Sequence, residues 1–253
     1  MSNIAFSIGP LQIHWYGILI AAALIIGYWL TCRNATRYGL EREVLDRLLV
    51  RLIVAVIVGA RLAFVAANFG FFLAQPWEII RIDHGGLGSH GAFIAAMLLG
   101  WYWTRRARVS YWTLADAVAP AITVGHIFVR IGNFINGELY GPPTNLPWAV
   151  KFPTSAVPVH PSQLYEVLTS LAILPFALRW SRSPRYPGYA FLRVLLLHSA
   201  VRFFMDFFRQ ETAFHGQLVL TQYIALAFVL LSGGWLWYLE TYRYPADRSK
   251  PAA

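Results

Sequence analysis

Residues 130–141 read Arg-Ile-Gly-Asn-Phe-Ile-Asn-Gly-Glu-Leu-Tyr-Gly. They directly follow an apolar run from Thr113 to Val129, so we expect Arg130 where a membrane-spanning helix meets water. Two asparagines, a glutamate and a tyrosine follow within ten residues, beside three glycines that let backbone or ligand approach closely. This density of polar groups predicts a binding site for a polar, anionic group at the bilayer surface.

The composition indicates a membrane protein. Of the 253 residues, 57% are hydrophobic and 13% charged, whereas soluble domains carry about 25% charged residues. The net charge of +9 indicates basic cytoplasmic loops and anionic lipid rather than nucleic acid in so apolar a chain. Because Cys32 is the one cysteine, the sequence excludes an internal disulfide and a Cys-based zinc site.

Seven apolar segments come close to the roughly 20 residues that cross a bilayer as a helix. We therefore predict an all-α polytopic membrane protein. The predicted spans are Trp15 to Thr31, Leu48 to Asn68, Gly86 to Thr104, Trp112 to Val129, Pro161 to Trp180, Gly188 to Phe208 and Leu218 to Leu239.

The basic residues of the loops predict the orientation. Thirteen lie in the loops and tail on one side of the predicted spans and four on the other, in strict alternation. The positive-inside rule then places the N-terminus outside and the C-terminus in the cytoplasm. We predict one transmembrane domain over residues 1–253, with residues 130–160 as a small external cap between spans four and five.

Four arginines lie inside or at the ends of the apolar spans: Arg61, Arg130, Arg193 and Arg202. Each costs about 2.5 to 3.5 kcal/mol at the bilayer centre on insertion scales. Snorkelling to the headgroups would offset this cost, and it stays open for all four. The alternative for Arg130 and Arg202 is a lipid phosphate held between them, since a guanidinium binds phosphate with two parallel bonds. Arg202, Asp206 and Arg209 also share one helical face.

Three further stretches are rich in polar residues. Residues 83–92 contain four glycines and His90, which could act as a base or simply pack between helices. His84 and His90 match no zinc spacing, so we expect no metal and no cofactor. Residues 159–166 read Val-His-Pro-Ser-Gln-Leu-Tyr-Glu and could cap a helix, and His14-Trp15-Tyr16-Gly17 fits an interfacial aromatic cluster.

In combination these stretches resemble the prolipoprotein diacylglyceryl transferase family. Arg130 to Glu138 is similar to the central part of the family signature, and the other similar stretches occur in the same order along the chain. They are His14 to Gly17, Gly59 to Arg61, His160 to Glu166, Arg202 to Arg209, and Gly216-Gln217.

The resemblance implies an enzyme of the bacterial inner membrane with its active site toward the periplasm. Such an enzyme moves the diacylglyceryl group of phosphatidylglycerol to the lipobox cysteine of a preprolipoprotein signal peptide and releases glycerol phosphate. The resemblance implies His90, Arg130, Arg202 and Tyr16 as catalytic residues. The implied substrate-binding residues are Asn133, Asn136, Glu138, Arg61, His14, Asp206, Arg209 and His198.

The chain departs from the family pattern around this implied site. His198 stands where the family usually has tyrosine, Asp206 where it has glutamate, and Val129 and Ala92 where it has glycine. These departures leave open a divergent member with another acceptor, another lipid transfer or an altered base, in which His198 or His84 shares the work of His90. A transporter for an anionic solute is the alternative from another class, because buried arginines would serve it too. It predicts repeat symmetry, which the sequence lacks.

Overall fold

A computed structural model of the chain describes residues 3–9, 11–81, 85–86, 88–209 and 218–245. His84 and the pair Gly216-Gln217, which the sequence analysis singled out, lie outside the described residues. Seven long helices correspond to the seven predicted spans. They are α1 (Trp15–Ala35), α2 (Arg42–Ala67), α4 (Ser89–Ala107), α5 (Tyr111–Asn136), α6 (Ser162–Arg182), α7 (Tyr189–Met205) and α8 (Leu220–Tyr238), with the short α3 (Phe69–Ala74) after α2.

The predicted helical class is confirmed, with one small addition at the N-terminus. Strands β1 (Ile4–Ile8) and β2 (Leu11–His14) pair antiparallel, with Ile4 opposite His14. Apolar and polar residues alternate along β2, which is the period of a strand and not of a helix. The chain passes from β2 directly into α1, where the Trp15 amide donates to the Asn3 carbonyl at 3.0 Å.

Among the described residues, four helices are long and apolar enough to cross a membrane: α1, α2, α5 and α8, the first and last together with the short turns that follow them. The other three long helices, α4, α6 and α7, are less apolar or shorter. The helix α6 carries a stripe of buried Ser162, Glu166 and Ser170, and α7 has only 17 residues. Seven spans and the outward N-terminus therefore stay predictions.

The chain forms two compact units, residues 1–34 with 115–253, and residues 35–114. In the first unit α7 packs against α6 and α8, and Tyr189, Leu192 and Leu236 form part of a buried cluster. In the second unit α2 packs closely on α4. A Cβ added at Gly91 would lie 2.1 Å from the Gly59 carbonyl oxygen, so the two helices can approach this closely only with glycine there.

The helix α5 continues past the predicted membrane boundary. It ends at Asn136, where Gly137 adopts a left-handed conformation with φ of 69°, a common way to end a helix. Arg130 is therefore almost two turns inside the helix and not at its end, and residues 130–136 of the predicted external cap are helical. The physical reason is the buried carboxylate that Arg130 meets there, which is described below.

Asp116, on α5, caps the helix α7. Its side chain is fully buried and accepts hydrogen bonds from three amides at the start of α7: Gly188 at 2.7 Å, Ala190 at 2.9 Å and Phe191 at 2.8 Å. The first amides of a helix have no partner within it, and a carboxylate there also interacts favourably with the helix dipole. Asp116 thus fixes the first turn of α7 to α5.

Candidate active site

A buried glutamate on α6 lies at the centre of the candidate site. The Oε2 atom of Glu166 lies 2.7 Å from Arg130 Nε and 3.3 Å from His126 Nε2, and its Oε1 lies 3.9 Å from Arg202 Nη1. Glu166 is 2% exposed. Helices α5, α6 and α7 therefore each contribute a charged or titratable side chain to one point.

A second carboxylate extends this cluster. Asp206, in the turn that follows α7, accepts from Arg202 Nη2 at 3.0 Å and lies 3.7 Å from Arg209 Nη1. The Thr221 hydroxyl, on α8, donates to its other oxygen at 2.7 Å. Arg202, Asp206 and Arg209, which the sequence predicts on one helical face, thus form a continuous series of ion pairs that ends at Glu166.

Among the described residues, the cluster contains more guanidinium groups than carboxylates. Three guanidinium groups, those of Arg130, Arg202 and Arg209, meet the two carboxylates of Glu166 and Asp206. Within the described part of the chain, the hydrogen bonds of Arg130 come from Nε and Nη1. A positive excess in a site of low exposure attracts an anion more strongly than it would in water, so the cluster suits a phosphate group.

The signature stretch continues from Arg130 as a chain of hydrogen bonds. Arg130 Nη1 donates to Asn133 Oδ1 at 3.3 Å, and Asn133 Nδ2 donates to Glu138 Oε2 at 3.4 Å. Asn136 Nδ2 donates to the other Glu138 oxygen at 3.0 Å. The predicted residues Asn133, Asn136 and Glu138 are thus brought together with Arg130 around the end of α5.

The start of α6 holds the chain that follows α5, rather than capping its own helix. Ser162 Oγ donates to the Leu139 carbonyl at 2.9 Å, and Gln163 Nε2 donates to the Glu138 carbonyl. No side chain caps α6 at Pro161, so the capping interpretation of residues 162–166 is wrong. Both bonds come from the start of α6, which also carries Glu166. They therefore fix the position of the Glu138 backbone relative to Glu166.

Tyr16 and His198 lie close to α5. The Tyr16 ring lies against Gly132, where an added Cβ would be 2.6 Å from a ring carbon. His198, on α7, makes a hydrogen bond to Thr123 Oγ1 at 3.1 Å, and its ring meets the His126 ring edge-on with centroids 5.2 Å apart. His14 is exposed and ends β2, and its substrate-binding role stays a prediction.

Two predicted site residues belong to the second unit. His90 is the second residue of α4 and is exposed, and its catalytic role stays a prediction. The Arg61 guanidinium is buried and donates to five backbone carbonyls, those of Glu78, Ile79, Arg81, Gly85 and Gly86. The hydrogen bonds described for Arg61 all go to the protein backbone, and its substrate-binding role stays a prediction. Arg61 holds the chain between α3 and α4.

Arg193 also has partners within the protein. It forms an ion pair with Glu240, in the turn that follows α8, and Arg193 Nη1 donates to the Tyr189 carbonyl at 2.9 Å. Its guanidinium also lies 3.8 Å from the centre of the Tyr189 ring. Arg193 therefore connects α7 to the end of α8.

The sequence analysis missed Glu166, His126 and Ser170 as site residues. A signal was available on α6, because Ser162, Glu166 and Ser170 recur every four residues and form a polar stripe on an apolar helix. An ionisable residue within such a helix needs a partner. His126 is one turn before Arg130, so the same reasoning places it on the face of α5 that carries Arg130.

The fold and the site define a helical membrane protein with a buried, positively charged cluster for an anionic group. Residues 3–238 match the family described as prolipoprotein diacylglyceryl transferase, and the chain belongs to this family. The resemblance predicted from the sequence is thereby confirmed.

Three curated relatives carry the name phosphatidylglycerol-prolipoprotein diacylglyceryl transferase. The protein of Nitratidesulfovibrio vulgaris is 38% identical over 212 residues, which are 82% of this chain and 80% of the relative. The protein of Thermosynechococcus vestitus is 34% identical over 90% of this chain and 88% of its own length. That of Bordetella parapertussis is 36% identical over 96% of both chains.

Proposed function

We propose that the protein transfers the diacylglyceryl group of phosphatidylglycerol to the lipobox cysteine of preprolipoproteins. In this reaction the cysteine sulfur forms a bond to the glyceryl carbon, and the bond between that carbon and the phosphate oxygen breaks. The thiol proton is lost to a base, and glycerol phosphate takes up a proton as it leaves. Membership of the family and the names of the relatives support this function.

The convergence of Arg130 and Arg202 on Glu166 is the observation that carries the proposal. Negative charge develops on the phosphate as the bond to carbon breaks, and fixed guanidinium groups stabilise this charge. The contact of Arg202 with Glu166, at 3.9 Å, is the longest of the three. We therefore expect Arg202 to turn from Glu166 to the phosphate, while Arg130 keeps its ion pair with Glu166.

The other site residues are assigned supporting roles in this proposal. Asp206 and Arg209 orient Arg202, and Asn133, Asn136 and Glu138 bind the glycerol hydroxyls of the headgroup. Tyr16 lies against the signature helix and orients the substrate there, together with His14 at the end of β2. His90 is the base that removes the thiol proton, because a thiol with pKa near 8.5 reacts as the thiolate.

The proposal includes the arrangement in the cell. We place the protein in the bacterial inner membrane as one transmembrane domain with seven spans. The segment between α5 and α6 and the Glu166 cluster face the periplasm, where the preprolipoprotein signal peptide presents its lipobox. The loop charges support this orientation.

A transfer assay with the purified protein in detergent tests the function. Phosphatidylglycerol and a lipobox peptide are combined, and glycerol phosphate release and the mass of the peptide are followed together. We expect equal amounts of glycerol phosphate and thioether-linked peptide. A peptide with serine in place of cysteine should give neither product.

Matched arginine variants identify the site that carries the activity. Arg202→Ala should lower the rate by about 10² to 10³, the usual effect of losing one group that stabilises transition-state charge. Arg179→Ala removes an exposed arginine from the far end of α6 and should leave the rate unchanged. Wild-type rates in Arg202→Ala, or no turnover by the wild-type protein, would each contradict the proposed function of this site.

A further inference from the structure

His126 has partners at both nitrogens of its ring. Its Nδ1 lies 2.9 Å from the Ser170 hydroxyl oxygen, and its Nε2 lies 3.3 Å from Glu166 Oε2. The charged and titratable groups that face it are Glu166 from α6, His198 from α7 and Arg130 from its own helix. Its protonation state therefore follows from which of these neighbours can donate and which can accept.

Ser170 fixes the role of Nδ1. The Ser170 hydroxyl donates its single proton to the Glu166 backbone carbonyl at 2.7 Å. Its oxygen can then only accept from the histidine ring, so His126 Nδ1 carries a hydrogen. The buried position of Ser170 leaves no competing partner from solvent.

The contact of the other ring nitrogen, Nε2, with the Glu166 carboxylate also requires a proton. If Nε2 carried no proton, His126 Nε2 and Glu166 Oε2 would be two hydrogen-bond acceptors 3.3 Å apart. The N–H directed between them would be that of Arg130 Nε. This N–H is 2.7 Å from the carboxylate oxygen and 3.4 Å from Nε2, so it bonds mainly to the carboxylate. A proton between Nε2 and Oε2 removes the repulsion of the two acceptors.

We propose that His126 and Glu166 together hold one transferable proton and give it to the departing glycerol phosphate. This inference rests on the proposed function. The bond from carbon to the phosphate oxygen breaks, the oxygen takes the proton from His126, and the pair is left as neutral imidazole and carboxylate. The proton that the base takes from the thiol later restores the pair, so the reaction consumes no net proton.

The neighbouring His198 limits where the proton can lie. The two rings are 5.2 Å apart, and two positive rings at that distance would repel each other. Of the two rings, only that of His126 contacts a carboxylate among the described residues, so the proton belongs to His126. His126 and His198 thus form a pair in which the His126 ring carries the proton and the His198 ring stays neutral.

The pH dependence of transfer distinguishes proton donation from a structural role. In the wild-type protein the rate should fall at alkaline pH, because the pair loses its proton. His126→Gln keeps a side-chain amide beside Glu166 but cannot transfer a proton. We expect its kcat to be lower by about 10² or more at neutral pH, and the alkaline decline that the wild-type protein shows should be absent.

Ser170→Ala is the second variant, and it removes only the acceptor for Nδ1–H. The charged ring loses a hydrogen bond that favours it, so the alkaline decline should move to lower pH. An equal loss of rate at every pH in His126→Gln, together with an unmoved decline in Ser170→Ala, would overturn the inference. In that outcome the wild-type protein would still turn over, so the proposed function would stand.

Discussion

Arg130 and Glu166 are a buried ion pair, and removing one partner affects stability as well as chemistry. Arg130→Ala leaves a carboxylate that is 2% exposed without its nearest counter-charge. Breaking such a pair from one side costs about 3 to 5 kcal/mol, and His126 and Arg202, which still contact Glu166, reduce this cost. We expect a lower Tm and loss of transfer, measured by thermal unfolding and by glycerol phosphate release.

The double variant Arg130→Ala with Glu166→Gln separates the two effects. With no unpaired charge left in the site, its Tm should recover most of the loss, because neutral replacement of a buried pair is often tolerated. Transfer should stay lost, because the guanidinium for the phosphate is still absent. A double variant that recovered activity together with stability would show that Arg130 acts only through folding.

Individual residues show which features the sequence pattern predicts and which it does not. The dense polar residues from Arg130 to Glu138 predicted a cluster, and the structure joins them by hydrogen bonds; their role in a substrate site stays a prediction. The role of Glu166 was not predicted, because its partners are on two other helices and a sequence does not show which helices meet. The role of Arg61 depends likewise on five backbone carbonyls, and no pattern of side chains indicates the path of a loop.

At the scale of the elements, α7 depends on a cap supplied by another helix. Asp116→Ala removes the acceptor for three amides and leaves them buried, and each unsatisfied buried group costs about 1 to 3 kcal/mol. Asp116→Asn retains one carbonyl oxygen, so its Tm should lie between those of Asp116→Ala and the wild-type protein. Thermal unfolding with transfer measured at low temperature tests this, and unchanged Tm in Asp116→Ala would contradict the capping role.

The segment between α3 and α4 depends on Arg61 in the same way. Arg61→Lys keeps the charge, but one ammonium group cannot reach five carbonyls. A loss of about 1.4 kcal/mol in local stability would speed tryptic cleavage after Arg81 about tenfold, since cleavage follows the population of the open form. The rate of that cleavage in folded protein is the measurement.

Arg51→Lys is the matched control for Arg61→Lys. Arg51 is on the same helix, is exposed and contacts only the face of the Trp103 ring among the interactions described, at 4.5 Å. Its replacement should leave cleavage after Arg81 at the wild-type rate. Equal acceleration in both variants would mean that the effect comes from α2 as a whole and not from the Arg61 hydrogen bonds.

The elements were predicted where local pattern decides them. Each of the seven apolar runs contains a long helix in the described part of the chain, because a helix satisfies the backbone hydrogen bonds of an apolar segment within the segment itself. The hairpin at the N-terminus was missed because strands of four and five residues give little pattern. The end of α5 was misplaced because Arg130 was expected to need water, whereas Glu166 satisfies it within the protein.

At the scale of the whole molecule, the orientation can be tested with the single native cysteine removed. In a Cys32→Ser background, Ala156→Cys lies between α5 and α6 and Ser183→Cys follows α6, and both positions are exposed. A membrane-impermeant maleimide should label Ala156→Cys in intact cells with a permeabilised outer membrane. It should label Ser183→Cys only after lysis, and the reverse pattern would refute the proposed orientation.

The cap that Asp116 provides also bears on how the chain enters the membrane. During synthesis α5 is made before α7, so the carboxylate exists before the amides that need it. The helix α7 is short, at 17 residues, and carries two arginines, which makes it a poor candidate for independent insertion. It follows that α7 inserts most favourably beside an α5 that is already in the membrane. The order of translation thus provides Asp116 before the α7 amides that it caps.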